Sequence, residues 1–441
     1  MNEHRRLPVV AIVGRPNVGK STLFNRILGT RKAVVLDTPG VTRDRNYGVA
    51  EWGDRAFFLV DTGGYDIEDM AELSVLVREQ CLLAIEEADA VIFVVDLREG
   101  PTPVDEDMAD LLRRTGKPVF VAVNKADLPR HEDQAAEFYR FGLDQVFAVS
   151  AEHQRGISNL VEAVLEQLPA AETEGPLEEG AVRIAVVGRQ NVGKSTLVNS
   201  IVGESRVIAA ELPGTTRDAI DTPFEHDGRH YVLIDTAGIR RRGKIERGIE
   251  RLSVTSAIVS LERCDVALIV LDASTGIVEQ DAHIAGYAQD AGRACVLLVN
   301  KWDVVEKDAK TVDRYIEYLR DTFNFLPFAP ILFISAKTGR RVEKILDTVD
   351  GLLPQYRARI DTPAVNAALQ KILQRHSPPL MSGRSLKVKY AVQTATAPPT
   401  FTLFVNDPRL MHFSYERYLL NQFREAFGLT SVPIRIRLRK K

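Results

Sequence analysis

Gly14-Arg15-Pro16-Asn17-Val18-Gly19-Lys20-Ser21-Thr22 places a lysine and a hydroxyl directly after a glycine-bounded loop. That order suits the grip of a phosphate chain. Glycines let the backbone curl so that its N–H groups point at an anion, the lysine adds an ammonium, and the serine offers an oxygen to Mg²⁺. The pattern returns 174 positions later as Gly188-Arg189-Gln190-Asn191-Val192-Gly193-Lys194-Ser195-Thr196. Four further groups recur in the same order. Asp61-Thr62-Gly63-Gly64 matches Asp235-Thr236-Ala237-Gly238, an acid that can approach the metal followed by a glycine, Gly64 or Gly238, whose N–H can reach a γ-phosphate. Asn124-Lys125-x-Asp127 matches Asn300-Lys301-x-Asp303, and Ser150-Ala151 matches Ser335-Ala336. A carboxylate at Asp127 or Asp303 accepts from the N1–H and exocyclic amine of guanine, and adenine offers neither donor. Thr42 and Thr216, in Pro39–Asp44 and Pro213–Asp218, stand where a loop can close over the γ-phosphate and complete the magnesium shell, releasing when that phosphate is lost.

Chemistry of this kind needs a scaffold that brings distant loops to one edge. Apolar runs supply it twice: Val9–Val13, Phe57–Val60, Ala90–Val95, Val119–Val123 and Val146–Val149, then Val182–Val187, Tyr231–Ile234, Val266–Leu271, Ala294–Val299 and Ile331–Ile334. Uniformly apolar, β-branched runs read as parallel strands buried on both faces. Segments such as Ile157–Leu168 and Ser195–Ile201 read as the helices between them. The expected fold class is α/β, with two phosphate-loop domains built on doubly wound, mostly parallel sheets. The boundaries expected are 1–169, an acidic linker at 170–180, 181–354, and a basic module at 355–441. The module reads α-β-β-α-β: a helix from Thr362 to His376, strands at Leu386–Thr394 and Phe401–Val405, a helix capped by Ser414, and a strand at Pro433–Leu438.

Charge divides along the same boundaries. The chain of 441 residues has a net charge of −3, but residues 355–441 hold 15 Lys and Arg against 4 Asp and Glu, leaving +11 there and −14 elsewhere. An acidic body with a basic module points to a polyanionic partner. Three cysteines without metal-ligand spacing argue against a disulfide framework, and no apolar run is long enough to span a bilayer. A cytoplasmic location, no membrane partner and a monomer are the expectations.

The five motifs, their order and their duplication resemble the tandem, double-Era-like GTPases of the Der (EngA) family over almost the whole chain. The resemblance implies GTP hydrolysis, a KH-like fold for residues 355–441, and a role in maturing the large ribosomal subunit, with its precursor particle and ribosomal RNA as partners. Two departures matter. Tyr65 and Ile239 follow the second switch glycine, and neither can orient an attacking water as a glutamine does. Related GTPases lacking that glutamine use a phosphate-loop asparagine to hold a potassium ion, so the resemblance assigns that role to Asn17 and Asn191 and implies slow, potassium-stimulated turnover. The only glycines after residue 355 are Gly383 and Gly428, so the Gly-x-x-Gly clamp of ordinary KH domains is missing. RNA contacts are then expected from Arg435, Arg437, Arg439, Lys440 and Lys441. Two rivals to a GTP-driven switch are a binding module with one nucleotide held as a structural ligand, and a membrane-remodelling or transport GTPase.

Overall fold

A computed structural model describes residues 5–29, 47–53, 55–61, 85, 88–128, 130–169, 172–173, 180–203, 206–207, 221–235, 254–306, 308, 310–381 and 384–441. The chain forms two units, one made chiefly of residues 1–176 and one chiefly of 177–441.

In the first unit, β1 (Val9–Val13) leads through the phosphate-type loop into α1 (Lys20–Leu28). β2 (Tyr47–Trp52), β3 (Arg55–Asp61), β4 (Ala90–Asp96), α2 (Pro103–Arg113), β5 (Val119–Asn124), β6 (Gln145–Ala148) and α3 (Ile157–Gln167) follow. The sheet order is β2-β3-β1-β4-β5-β6. Only the β2–β3 pair is antiparallel. Every residue of β1, β4 and β5 is buried, which is why these strands read as unbroken apolar runs. Leu23, Phe24 and Ile27 of α1 and Leu160, Val161 and Val164 of α3 cover the sheet in one hydrophobic cluster. Each such side chain stabilises the fold by roughly 1.5–3 kcal/mol. The strand β2 was not evident in the sequence: Tyr47–Trp52 pairs on one side only, so it lacks the continuous apolar signal of the central strands. Residues 170–180, expected as linker, contribute a two-residue strand, Glu172–Thr173, that pairs antiparallel with Arg5–Arg6.

The second unit repeats the plan. β7 (Val182–Val187) precedes α4 (Lys194–Gly203), and β8 (Arg206–Val207), β9 (Thr222–His226), β10 (Arg229–Ile234), α5 (Val254–Arg263), β11 (Val266–Asp272), α6 (Glu279–Asp290), β12 (Ala294–Asn300), α7 (Thr311–Thr322), β13 (Ile331–Phe333) and α8 (Glu343–Tyr356) follow. The seven strands run β8-β9-β10-β7-β11-β12-β13. β9 escaped the sequence reading because Pro223 sits inside it, and proline argues against a strand.

The C-terminal module has the expected order: α9 (Thr362–Arg375), β14 (Val388–Ala395), β15 (Thr400–Val405), α10 (Phe413–Phe427) and β16 (Arg435–Lys440). β15 is central, antiparallel to β14 and parallel to β16. Pro363 in the first turn sets the start of α9. His412, not Ser414, is the N-cap of α10: its Nδ1 accepts from the Ser414 backbone N–H at 3.3 Å. Gly428, left-handed at φ 66°, ends that helix. Val365 and Leu369 of α9 and Leu419 and Phe423 of α10 cover one face of the sheet, where Phe401 stacks on Phe423 at 4.9 Å. The same hydrophobic cluster continues through Tyr356 into the second α/β domain, so the two pack as one body. Tyr356 Oη donates to the Gly292 carbonyl at 2.9 Å, the Ala397 N–H donates to the Tyr356 carbonyl at 2.9 Å, and the Arg424 guanidinium lies 4.4 Å from the centre of the Phe328 ring.

Candidate functional site

In both sheets the first strand (β1 or β7) lies between the strand that returns beside it and the strand that departs the other way, so a crevice opens at its carboxyl end. The loops 14–19 and 188–193 sit there. Gly14 (φ 149°) and Gly188 (φ 150°) pass so close to the next strand that a Cβ would stand 2.3 Å from the Val94 carbonyl oxygen or 2.5 Å from that of Val270. Gly19 (φ 95°) and Gly193 (φ 98°) are likewise bare by necessity, because a Cβ would lie 2.3 or 2.4 Å from the side-chain nitrogen of Asn124 or Asn300. Asn17 (φ 64°) and Asn191 (φ 59°) take left-handed backbone with exposed side chains. α1 begins without a side-chain cap, and neither α1 nor α4 has an acid in its first turn. Their positive ends are therefore available to an anion. Lys20 Nζ donates to the Arg15 carbonyl at 2.8 Å, and Lys194 Nζ to the carbonyls of Gly188 at 2.8 Å and Arg189 at 2.5 Å. Pro16 and Gln190 lie on the outside of the loops, Val18 and Val192 are buried beneath them, and Ser21, Thr22, Ser195 and Thr196 occupy the first helical turns.

Around this loop lie the residues expected to recognise the base. Asn124 is 3% exposed and faces the protein at both ends: Nδ2 donates to the Val18 carbonyl at 2.8 Å and Oδ1 accepts from the Ala151 N–H at 3.0 Å. Asn300 repeats both bonds with Val192 and Ala336, at 2.7 and 2.9 Å. These asparagines are straps between the phosphate loop and the Ser-Ala loop. Lys125 donates to Asp96 and, at 3.2 Å, to the Asn17 carbonyl, while Lys301 meets Asp272 at 2.7 Å. Burial opposes ionisation of Asp272, but hydrogen bonds from Lys301 and Ser274 outweigh it and hold the carboxyl below its ordinary value. Asp127 Oδ1 accepts from Ser150 Oγ at 2.7 Å, and its Oδ2 meets Arg98 at 2.7 Å. The Ser150 bond is the leading cause that keeps Asp127 below the usual carboxylate range. Asp303 follows Lys301 at the matching position, and Ser335, 1% exposed, accepts from the Thr338 N–H at 3.3 Å.

Asp61 ends β3 at 2% exposure, and Asp235 stands just past β10 with φ 57°, its Oδ2 3.4 Å from Ser260 Oγ. Ser21 and Ser195, in the first turns of α1 and α4, carry the hydroxyls expected to join these acids as hard-oxygen donors of the kind magnesium prefers. Thr42, Thr62, Gly63, Gly64, Thr216, Thr236, Ala237 and Gly238 lie outside the described residues, as do Tyr65 and Ile239.

Sequence reasoning missed a second layer. Arg15 Nε lies 3.4 Å from Asp105, whose carboxylate also accepts from the Thr102 N–H and hydroxyl and so caps α2. Arg189 Nε repeats the contact with Asp281 at 3.2 Å, and Asp281 accepts from the Val278 N–H at 3.1 Å. These pairs pin the outer residue of each phosphate loop to the helix after β4 or β11. The repeat offset of 176 that relates Asn124 to Asn300 also relates Asp96 to Asp272 and Asp105 to Asp281, which was the available signal.

A family model described as 50S ribosome-binding GTPase matches residues 9–125 and again 183–301, and one described as KH-domain-like of EngA bacterial GTPase enzymes matches 359–439. GTPase Der of Pelotomaculum thermopropionicum is 53% identical over 434 residues, covering 98% of each chain. The chain belongs to the GTPase Der family. GTPase Der of Geotalea daltonii is 51% identical over 429 residues, 97% of each chain. Among solved structures, Era of Aquifex aeolicus bound to GDP.AlF4- is 25% identical, with a TM-score of 0.32, over 52% of this chain and 79% of that one. Membership makes this chain a GTP-hydrolysing enzyme with tandem GTPase domains, and brings GTP, GDP and magnesium as its ligands. The glycine cradles, the uncapped start of α1 and the Asp127 environment fit that chemistry. Among the described residues no helix is long and apolar enough to cross a membrane.

In the C-terminal module the expected RNA contacts divide. Arg437, Arg439, Lys440 and Lys441 are exposed. Arg435 is not available as expected: its guanidinium donates to the Asp290 carbonyl at the end of α6, and burial lowers its pKa. It docks the module onto the second GTPase domain.

Proposed function

We propose that this chain is a GTP-driven switch in the maturation of the large ribosomal subunit, acting in the cytoplasm through nucleotide-dependent association with ribosomal RNA or a precursor particle. One observation carries the reading: a basic module packs as one body with a GTPase domain whose phosphate loop and base-recognition strap are both intact. The family description of a 50S ribosome-binding GTPase supports the same partner. In each copy the loop amides and Lys20 or Lys194 would grip the β- and γ-phosphates. Ser21, Thr42 and Asp61, or Ser195, Thr216 and Asp235, would hold the magnesium, which neutralises charge that develops on the phosphates. Asp127 and Asp303 would select guanine. Gly64 and Gly238 would present an N–H to the γ-phosphate, and Asn17 and Asn191 would hold potassium beside it.

Co-sedimentation with ribosomal particles in GDP, GTP and a non-hydrolysable analogue tests the switch. Association in one nucleotide state and release in another is expected, and identical behaviour in all three removes the proposal. Hydrolysis rates in sodium and potassium at matched ionic strength test the asparagines, and equal rates remove the potassium role.

A further inference from the structure

The three-stranded sheet of the C-terminal module has one face under α9 and α10 and another turned away from them. Phe401, Leu403, Val405 and Ala391 belong to the hydrophobic cluster, and Ile436 and Leu438 pack against it. Alternation along each strand therefore sends Tyr390, Val392, Thr402, Phe404, Arg437 and Arg439 to the opposite face. Strand register aligns them into rows. Tyr390 pairs with Phe404 and Phe404 with Arg439, while Val392 pairs with Thr402 and Thr402 with Arg437. A third row ends at Arg435, which is held against α6.

An outer sheet face is ordinarily polar. This one instead carries two half-buried aromatic rings stacked at 4.4 Å and 15°. The Lys441 ammonium lies 4.5 Å from the centre of the Tyr390 ring, necessarily on the side Phe404 leaves open. Lys389 Nζ reaches the Lys441 carbonyl at 3.3 Å, placing a second exposed cation at the same end. The strands Val388–Ala395, Thr400–Val405 and Arg435–Lys440 contain five Lys and Arg and no acid. The acids of the module lie off the sheet, at Asp361, Asp407, Glu416 and Glu425.

Aromatic rings beside cations on an open sheet are the physical means by which proteins hold unpaired bases: rings supply π-faces, cations the phosphate charge. We propose that this face is a stacking site for single-stranded RNA, in which an unpaired base packs on the Tyr390–Phe404 pair, exchanging with the Lys441 ammonium on Tyr390, while Arg437, Arg439 and Lys389 take the flanking phosphates. The site does not use a Gly-x-x-Gly clamp, which the module lacks. This inference rests on the RNA association proposed above and gives it a location.

The test uses the full chain and a labelled, unstructured ribo-oligonucleotide of about 12 nucleotides, compared with the same backbone carrying central abasic positions. The wild-type chain should bind the intact strand about tenfold or more tighter than the abasic one. Tyr390→Leu and Phe404→Leu keep apolar cross-strand packing but remove the π-face, so they should lose that discrimination, and Tyr390→Phe should retain it. Arg437→Gln with Arg439→Gln should weaken both strands equally and lower the salt slope by about one to two counterions. Leucine variants that bind like wild type, or a wild type indifferent to abasic sites, would overturn the site while leaving RNA association standing. No binding by the wild type in GDP, GTP or a non-hydrolysable analogue would overturn both. Ultraviolet crosslinking of a 5-iodouridine strand to the unmodified wild-type chain covers the case of unstable variants. Adducts at Tyr390 or Phe404 support the site, and adducts confined elsewhere refute it.

Discussion

At the scale of single residues, the two copies differ beside the carboxylate proposed to read guanine, where Arg98 of the first corresponds to Ser274 of the second. Asp127 is kept ionised first by the Ser150 hydroxyl and then by Arg98, so it can only accept hydrogen bonds. Replacing Asp127 with asparagine turns one acceptor into a donor. The first domain should then lose GTP and gain xanthosine triphosphate, whose ring bears a carbonyl where guanine has an amine. Competition binding in a Lys194→Ala background reads this directly, and unchanged guanine preference would count against the assignment. Arg98 occupies Asp127 Oδ2, so on the proposed assignment it would compete with the base, and the second copy has Ser274 at the matching position. Because the Arg98 side of that ion pair is exposed, Arg98→Ser should tighten GDP binding in the first domain only about two- to fivefold and reduce its salt dependence. Titration with a fluorescent GDP analogue checks both expectations.

At the scale of elements, α6 joins two tasks. Its first turn holds Arg189 through Asp281, and its last residue and following turn receive Arg435 and Tyr356. Gly292 makes the Arg435 contact feasible. It is left-handed (φ 69°), and a Cβ there would stand 2.7 Å from the Arg435 guanidinium. Gly286 sits in the middle of the same helix with nothing within 4 Å of its virtual Cβ. Gly292→Ala should therefore lower stability by about 1–3 kcal/mol, through strain and a displaced Arg435. Gly286→Ala should raise it by roughly 0.5–1 kcal/mol, the helix-propensity difference. Thermal or urea unfolding of the two variants should give opposite signs. The corresponding helix of the first domain, α2, ends near Gly116, which has nothing within 4 Å of its virtual Cβ. Among the described residues, the same element is thus docked at Gly292 and meets nothing at Gly116.

At the scale of the whole molecule, the joint between the second GTPase domain and the basic module contains a titrating acid. Burial pushes Asp290 up to about 8, the nearby Arg435 charge opposes this, and Glu262 adds to it. Its Oδ2 is buried without a hydrogen-bond partner among the described residues. Because the folded pKa lies above the unfolded one, the native state binds the extra proton between about pH 4 and 8. The stabilisation from this group is full below that window, falls by at most about 1.4 kcal/mol per pH unit through it, and is gone above pH 8. Asp290→Asn should flatten the fall in melting temperature between pH 5 and 8 and melt above wild type at pH 8.5. Parallel curves for the two chains would show that the joint does not feel this proton.

The duplicated motifs were enough to specify two α/β domains and the kind of ligand they hold. Tight turns around phosphate, buried parallel strands and an acid for guanine each demand particular residue types at fixed spacing, and such demands are visible in one dimension. Asn124 and Asn300 show where that stops. Their motif was legible, but their work, strapping Val18 to Ala151 and Val192 to Ala336, depends on two loops meeting across a sheet. The partnership of Arg15 with Asp105 and the fate of Arg435 were equally hidden, because a charged side chain's role is set by what the fold places opposite it. Arg435, Arg437 and Arg439 are equivalent in the alternating sequence. Only the packing of α6 against β16 makes the first a docking residue and leaves the other two facing outward beside Phe404 and Thr402.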